Sequence, residues 1–424
     1  MFPEKSTTLA PMTHRAPKWP WLLVPAFLTI FLMILIRRAA VSVPFADELH
    51  FNTLYRYLVE GRIPPVSELL ATHNGHPYLF LKLIITAIFS LHLPWKLLMY
   101  AQPLFLAWTF FIVARAACLG VNTLRDALTY IALAACIISP RIWEDLYWGM
   151  QLSAQMCLAF SLLSFSLTAN YISDRSNRNL ILVFISAVAA AMSAGAGIIV
   201  PPMVVAAICF VPGNHQRSHV IASCIFLALS SALTFLCFRL STEPGVGGKA
   251  LQLGLGGEHV LRMLAHLYID LPVRSMAALW LGVSTGLILT YVGFKLLSVW
   301  PQHIFAILCA LLGAGLIVMI TYARIKVGLF QPNAPRYVPA VLPLSIGLLL
   351  LLRSLEQKLL LVALASLACI GFMQAATSQW IISPYYKANL NALKTGLCQE
   401  GKAADSSTTE QIADMRKLFC ESHK

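Results

Sequence analysis

Charge is what this 424-residue chain has least of: Asp, Glu, Lys and Arg together make up 12% of it, with 18 acidic residues against 31 basic ones. A soluble domain carries about 25% charged residues, because its surface faces water. The deficit excludes a string of soluble domains. It is filled by hydrophobic side chains, which account for 58% of the chain. None of the ten cysteines forms a CxxC pair, which excludes the common structural-zinc and thioredoxin-like patterns. There is no P-loop either: in Gly245-Val246-Gly247-Gly248-Lys249-Ala250 the spacing is wrong, and Ala250 stands where Ser or Thr would bind magnesium. Without zinc-finger spacing or a basic–aromatic run, the net charge of +13 is no footprint of nucleic acid. In a polytopic membrane protein, such an excess belongs in cytoplasmic loops and at the anionic bilayer surface.

What is present is a series of apolar runs. The first, Trp19 to Ile36, follows Lys5, Arg15 and Lys18 but precedes Arg37-Arg38 rather than a small-x-small cleavage site. It reads as an uncleaved anchor, with residues 1–18 in the cytoplasm. Further runs long enough to cross about 30 Å of hydrocarbon cover approximately 77–93, 97–117, 127–140, 150–171, 180–212, 219–240, 275–297, 303–323, 337–353 and 359–382. The expectation is an all-α transmembrane bundle over residues 19–384 with about eleven crossings, in a range of roughly ten to thirteen. An odd count puts the tail, residues 385–424, outside. Strict alternation fits Arg353, Lys358 and the His215–Arg217 loop as cytoplasmic but puts Arg175 and Arg178 on the wrong side. An extra crossing in 180–212, broken at Ser193-Ala194-Gly195-Ala196-Gly197 and Pro201-Pro202, with one fewer in 77–117, repairs this.

Three polar segments interrupt the spans: 37–76, 241–274 and the tail. The first holds Asp47-Glu48 and the turn His73-Asn74-Gly75-His76; between them Phe51, Leu54, Tyr55 and Leu58 recur at helical spacing. That pattern predicts an amphipathic helix on the membrane surface. A carboxylate and two imidazoles at a protein-walled interface form a candidate general-base constellation. Arg324, Lys326 and Arg336 flank the proline-stiffened turn before Tyr337; guanidinium groups there suit a lipid-linked phosphate. In Trp143-Glu144-Asp145-Leu146-Tyr147-Trp148-Gly149-Met150-Gln151, Trp148 and Gln151 are candidates to stack on and hydrogen-bond a sugar. Ser407-Thr408-Thr409-Glu410 is a capping box ahead of Ile412, Met415, Leu418 and Phe419, predicting a short tail helix. Cys398 and Cys420 are free to pair only if that tail lies outside the cytosol.

Taken in order, Asp47-Glu48, His73-Asn74-Gly75-His76, Trp148-Gly149-Met150-Gln151, Ser193–Gly197 and Pro335-Arg336-Tyr337 resemble the GT-C class of membrane glycosyltransferases, among them bacterial enzymes that use polyprenyl-phosphate sugars. The resemblance implies an inverting sugar transfer to a cell-surface glycan or lipid acceptor, on the outer face of the cytoplasmic (inner) membrane. It implies Asp47 as catalytic base with Glu48 beside it, and His73, Asn74, His76, Trp148, Gln151, Arg324, Lys326, Arg336 and Tyr337 on the substrates. It implies membrane lipids as surroundings, with a flippase and a lipid-sugar synthase as working partners, and no nucleic acid. Asp47-Glu48 is not a spaced Asp-x-Asp metal motif, so no metal is required; a divalent ion stays open as an alternative. The chain departs from the pattern at Gly75 and Pro77, where many related chains carry an acidic and a basic residue, which weakens an acid–base role for that turn. The rival readings are a polytopic transporter or lipid flippase, for which Lys82 is the main intramembrane charge, and a hydrolase binding metal through Asp47, His50, His73 and His76.

Overall fold

In the computed structural model, residues 19–42, 51–73, 76–210, 217–240, 253–269, 275–296, 303–324, 335–400 and 409–421 are described. The elements are α1 (Leu23–Ala39), α2 (Asn52–Val59), α3 (Val66–Leu70), a two-residue hairpin of β1 (Thr72–His73) and β2 (His76–Pro77), α4 (Leu79–Ser90), α5 (Leu97–Ala116), α6 (Leu124–Ile137), α7 (Trp143–Leu146) and α8 (Leu152–Asp174). They continue with α9 (Asn177–Ser193), α10 (Val200–Phe210), α11 (Arg217–Arg239), α12 (Leu253–Ala265), α13 (Met276–Leu296), α14 (Ile304–Arg324), α15 (Val338–Ser354), α16 (Lys358–Thr395) and α17 (Thr409–Arg416). The protein is an all-α helical bundle, and among the described residues nine helices are long and apolar enough to cross a membrane.

Directions follow from cross-helix contacts. Close approach of Gly313 to Leu344 and of Gly347 to Ala306 and Ala310 sets α14 antiparallel to α15. At the lower end of α15, Arg353 donates to Asp126 Oδ1 at 2.8 Å and to Ala117 O at 2.9 Å, while Arg125 meets Glu356 at 2.9 Å. The Tyr171 hydroxyl lies 2.8 Å from His219 Nδ1, whose Nε2 lies 2.7 Å from Asn177 Oδ1, so the end of α8 and the starts of α9 and α11 share one level. At the upper end, Arg38 stacks on Trp380 at 4.0 Å and donates to Trp380 O and Ser383 Oγ. The 180–212 run is broken where expected. After Ser193 the chain leaves the helix through extended Ala194 and a 3-10 turn, Gly195–Ile199, and α10 starts with Pro201 and Pro202 in its first turn. There the missing N–H groups cost nothing.

Three sequence expectations change. The 77–93 run does not traverse the bundle. Helix α4 has twelve residues, about 18 Å of rise. It starts at the His76 turn and ends beside Ser42, Leu418 and Phe419, which are all at the upper end. Its Lys82 is no midplane charge: it donates to Glu68 O at 2.5 Å and Ala71 O at 3.0 Å, capping α3, and pairs with Glu68 at 3.6 Å. Segment 241–274 is not wholly a polar interruption between spans. Helix α12 enters the bundle and stops halfway, where the Tyr268 carbonyl meets Gly371 and Ser345 Oγ lies 3.5 Å from Leu267 O. The carbonyls at its end would be orphans in an apolar interior. Buried Arg141 donates to Leu267 O at 2.9 Å and to His266 O, a cation placed at a helix C-terminus. Finally, the tail does not begin at residue 385, since α16 continues to Thr395.

Helix α2 is amphipathic as predicted, but its apolar face is covered by protein instead of lipid. Phe51, Leu54 and Tyr55 are buried, and Tyr55 packs edge-on against Phe89, Trp95 and Phe419. The tail helix lies where the capping box predicts it. Cys398 and Cys420 are joined by a disulfide that fastens this cap to the end of α16.

Burial pushes the Glu68 carboxyl above its ordinary value of 4.5, although Lys82 pulls the other way. The native protein therefore holds the Glu68 proton more tightly than the unfolded chain. Its stabilising contribution is complete below pH 4.5 and is lost as pH rises through the folded-state value. Comparing apparent unfolding temperatures of the wild type and Glu68→Gln between pH 4.5 and 8 should show the difference moving in favour of the variant as pH rises.

Candidate functional site

The upper ends of α6 and α8 are joined by irregular backbone: a 3-10 turn at Pro140–Ile142, the four-residue α7, and a second 3-10 turn at Gly149–Gln151. Ser139 starts this stretch by accepting from Arg141 N, and Pro140 suits the first position of a turn. Fully buried Gln102 of α5 spends both protons of its amide nitrogen there, on Asp145 O and Trp148 O, each at 2.9 Å. One side chain thereby adds a second donor to two carbonyls that already accept from Trp148 N and Gln151 N, at 3.0 and 3.1 Å. The outer side of the knot packs on α16, with Trp143 and Tyr147 against the Tyr386 ring at 5.7 and 5.3 Å.

Over this knot lies the short 3-10 turn Pro335–Tyr337 that opens α15. Arg336 Nη1 meets Glu144 Oε1 at 2.9 Å, with both side chains partly exposed, and its guanidinium sits 5.4 Å from the Tyr337 ring. Beside Glu144, Asp145 is fully buried, and its two carboxylate oxygens have no hydrogen-bond partner among the described residues. From Arg336 a narrow slot of about 60 Å³ runs inward. Ala154, Leu158 and Ser161 of α8, Leu312 and Leu316 of α14, and Pro339 and Pro343 of α15 form most of its walls. Ala194 and Ala196 close its other side.

The His76 turn reaches the same place. Gly195 N donates to His76 Nδ1 at 3.0 Å, and a Cβ on residue 195 would overlap the imidazole. Only glycine lets the broken segment lie against this ring. Two motifs that are far apart in sequence thus border one slot at the upper end of the bundle, through Ala194 and Ala196 and through Arg336, and His76 packs behind the first of them on Gly195.

Other expected residues stand differently. His73 is buried, with its ring 5.0 Å from Phe51 and 6.3 Å from Tyr78, so it serves as packing for the turn. Trp148 is 4% exposed. Its ring lies inside the protein instead of being presented to a sugar, because the knot turns it inward. Gln151 is partly exposed at the start of α8, and Tyr337 is partly exposed beside Arg336. Arg324 ends α14, and its side chain, like Asp47, Glu48, Asn74 and Lys326, lies outside the described residues, as do His50 and the Gly245–Ala250 stretch. Among the described residues no group of three or more His, Cys, Asp or Glu side chains is placed to share a metal ion. Sequence reasoning missed Glu144, the partner of Arg336, and Gln102, the brace of the knot. Glu144 carried a usable signal, since an acidic side chain at a span end is expensive unless paired; Gln102 carried none.

Gln102→Leu keeps the volume but removes two buried hydrogen bonds, while Trp148 N and Gln151 N still serve the same carbonyls. Each lost bond is expected to cost about 0.5–1.5 kcal/mol, seen as a fall in the apparent unfolding temperature of purified protein. A stability unchanged from wild type would remove Gln102 as the brace.

Comparison of the chain with protein-family models, with curated proteins and with solved structures returns no match.

Proposed function

We propose that this chain is an inverting glycosyltransferase of the GT-C kind, moving a sugar from a polyprenyl-phosphate donor to a cell-surface glycan or lipid acceptor at the outer face of the cytoplasmic membrane. The observation that carries the reading is Arg336 at the mouth of an apolar slot between α8, α14 and α15. An anionic head with a hydrocarbon tail is the ligand class that matches a cation over an apolar groove. Among the described residues, taking α9 and α10, the latter lengthened at its start by the Gly195–Ile199 turn, as crossings beside the nine long helices gives eleven. The short connections at the lower end carry Arg125, Arg175, Arg178, Arg217 and Lys358, as cytoplasmic loops do. The Cys398–Cys420 disulfide belongs to an oxidising compartment, which supports an outward orientation for the site end.

In the proposed reaction an acceptor hydroxyl attacks the anomeric carbon. The new C–O bond forms as the bond to the phosphate oxygen breaks, polyprenyl phosphate departs, and Asp47 takes the hydroxyl proton. The leaving phosphate needs charge stabilisation instead of a proton, which is the work of Arg336. Glu144 holds the guanidinium in place until the donor arrives and then competes with the phosphate for it. His76, fixed on Gly195, shapes the acceptor side. Asp47 belongs to the stretch between Ser42 and Phe51, both of which are at the upper end.

A second reading, a lipid flippase or transporter, draws on a different observation. Helix α12 stops halfway through the bundle and carries the Glu258–Arg262 pair at 2.5 Å, with buried His259 3.0 Å from Thr321 Oγ1. Interrupted helices with polar groups at depth are a transporter feature.

Purified protein incubated with a panel of polyprenyl-phosphate sugars is expected to consume one donor and form an inverted glycosidic linkage. Asp47→Asn should slow transfer by about 10²–10⁴-fold, and Arg336→Ala should lower kcat/KM for the donor by about 10²-fold or more. Near-wild-type rates in either variant would remove that residue's role. Labelled lipid moving across proteoliposomes with no new glycosidic bond would favour the flippase.

A further inference from the structure

A second ligand site lies at the other end of the bundle, away from the slot. Helices α5 and α8 pack closely at Trp108 and Phe160, whose rings meet edge-on at 5.6 Å. Below that contact the two helices leave a gap between their facing side chains. The gap is a groove of about 540 Å³. One wall is the α5 face Trp108, Phe111, Ile112 and Arg115; the other is the α8 face Leu163, Ser166, Leu167 and Asn170. Both sets recur at positions i, i+3, i+4 and i+7, the spacing of a single helix face. The start of α9 closes the lower end with Arg178, Asn179 and Leu182.

The groove is graded along its length. Trp108 and Arg115 are seven residues apart on one helix, about 10 Å along the axis. Its inner part is apolar, while its lower rim holds two exposed guanidinium groups and two carboxamides. No acidic side chain lines it. The nearby Asp174 is already engaged: Oδ1 accepts from Ser176 N at 2.9 Å and Oδ2 from Asn179 Nδ2 at 2.7 Å. Neither Arg115 nor Arg178 has an ion-pair partner among the described residues. Two unneutralised guanidiniums above an apolar trough, at the ends of membrane-crossing helices, match the order of a phospholipid from phosphate to acyl chain.

We propose that this groove holds one anionic phospholipid from the lower leaflet. Its phosphate lies between Arg115 and Arg178, and the upper part of an acyl chain lies along Trp108, Phe111, Leu163 and Leu167. Charge selects the headgroup. A zwitterionic lipid would bring an ammonium group to a rim whose lining offers two cations and no carboxylate. The site is separate from the Arg336 slot and stands whether or not the chain transfers sugar.

The test is lipid retention by full-length protein, read by native mass spectrometry and by thermal shift with added phosphatidylglycerol, phosphatidylcholine or inorganic phosphate. Wild type should retain one phosphatidylglycerol and be stabilised by it. The double variant Arg115→Gln/Arg178→Gln should bind it at least tenfold more weakly, while Arg217→Gln, at the same end but outside the groove, should behave as wild type. Both altered side chains are exposed, so the fold should survive; matched unfolding temperatures without lipid check this. Equal retention by wild type and the double variant would overturn the site. So would phosphatidylcholine held as well as phosphatidylglycerol, or inorganic phosphate stabilising the protein equally.

Discussion

Everything at the upper end of this bundle depends on satisfying backbone groups where helices break inside an apolar medium. A continuous membrane helix bonds its own carbonyls, but one that stops partway leaves several without donors. Among the described residues, two of the breaks, the 138–151 knot and the tip of α12, receive a long polar side chain from a neighbouring helix or turn. Gln102 serves Asp145 O and Trp148 O, and Arg141 serves Leu267 O and His266 O. These donors add to the backbone bonds of the knot, from Trp148 N to Asp145 O and from Gln151 N to Trp148 O, in fixing the platform beneath Arg336.

From that platform the electrostatics follow. Glu144 is carried on the knot, Arg336 on the first turn of α15, and the two meet although 192 positions separate them in sequence. The pair aims a cation at the slot while keeping it neutralised in the absence of ligand. A partly exposed ion pair is worth little as a stabiliser, so its position suits a displaceable contact better than a structural one. The proline-rich start of α15 and the small residues of 193–197 leave the slot open between packed helices.

Much of the fold was legible in the chain because the membrane imposes a simple rule: about twenty apolar residues make a crossing. The break at Ser193–Gly197, needed to rescue Arg175 and Arg178 from the wrong side, is present because two prolines and close-packed glycines cannot continue α9. The tail helix followed from its capping box. Other features obeyed no local rule. Helix α4 is as apolar as a crossing helix, and only tertiary contacts, of the His76 turn before it with Gly195 and of its far end with Ser42 and Phe419, reveal that both ends lie toward the upper end. Helix α12 looks like part of a polar loop because its polar residues find partners within the fold: Glu258 and Arg262 pair along the helix, and His259 meets Thr321, distant in sequence. Trp148 was read as a sugar platform from its place at a span end, yet the knot that Gln102 holds turns it inward. Of the proposed site, the His76 turn, the 193–197 break and Arg336 converge.

The central claim is that a lipid phosphate sits at Arg336 with its hydrocarbon chain entering between α8, α14 and α15. Photocrosslinking tests it most directly, using a polyprenyl phosphate that carries a photoreactive group in its first isoprene unit and locating the adduct by peptide mass spectrometry. The account predicts labelling of the walls around Ala154–Ser161, Leu312–Leu316 and Pro339–Pro343, competed away by unlabelled polyprenyl phosphate. Adducts confined to other faces of the bundle, or labelling that unlabelled lipid does not reduce, would contradict it.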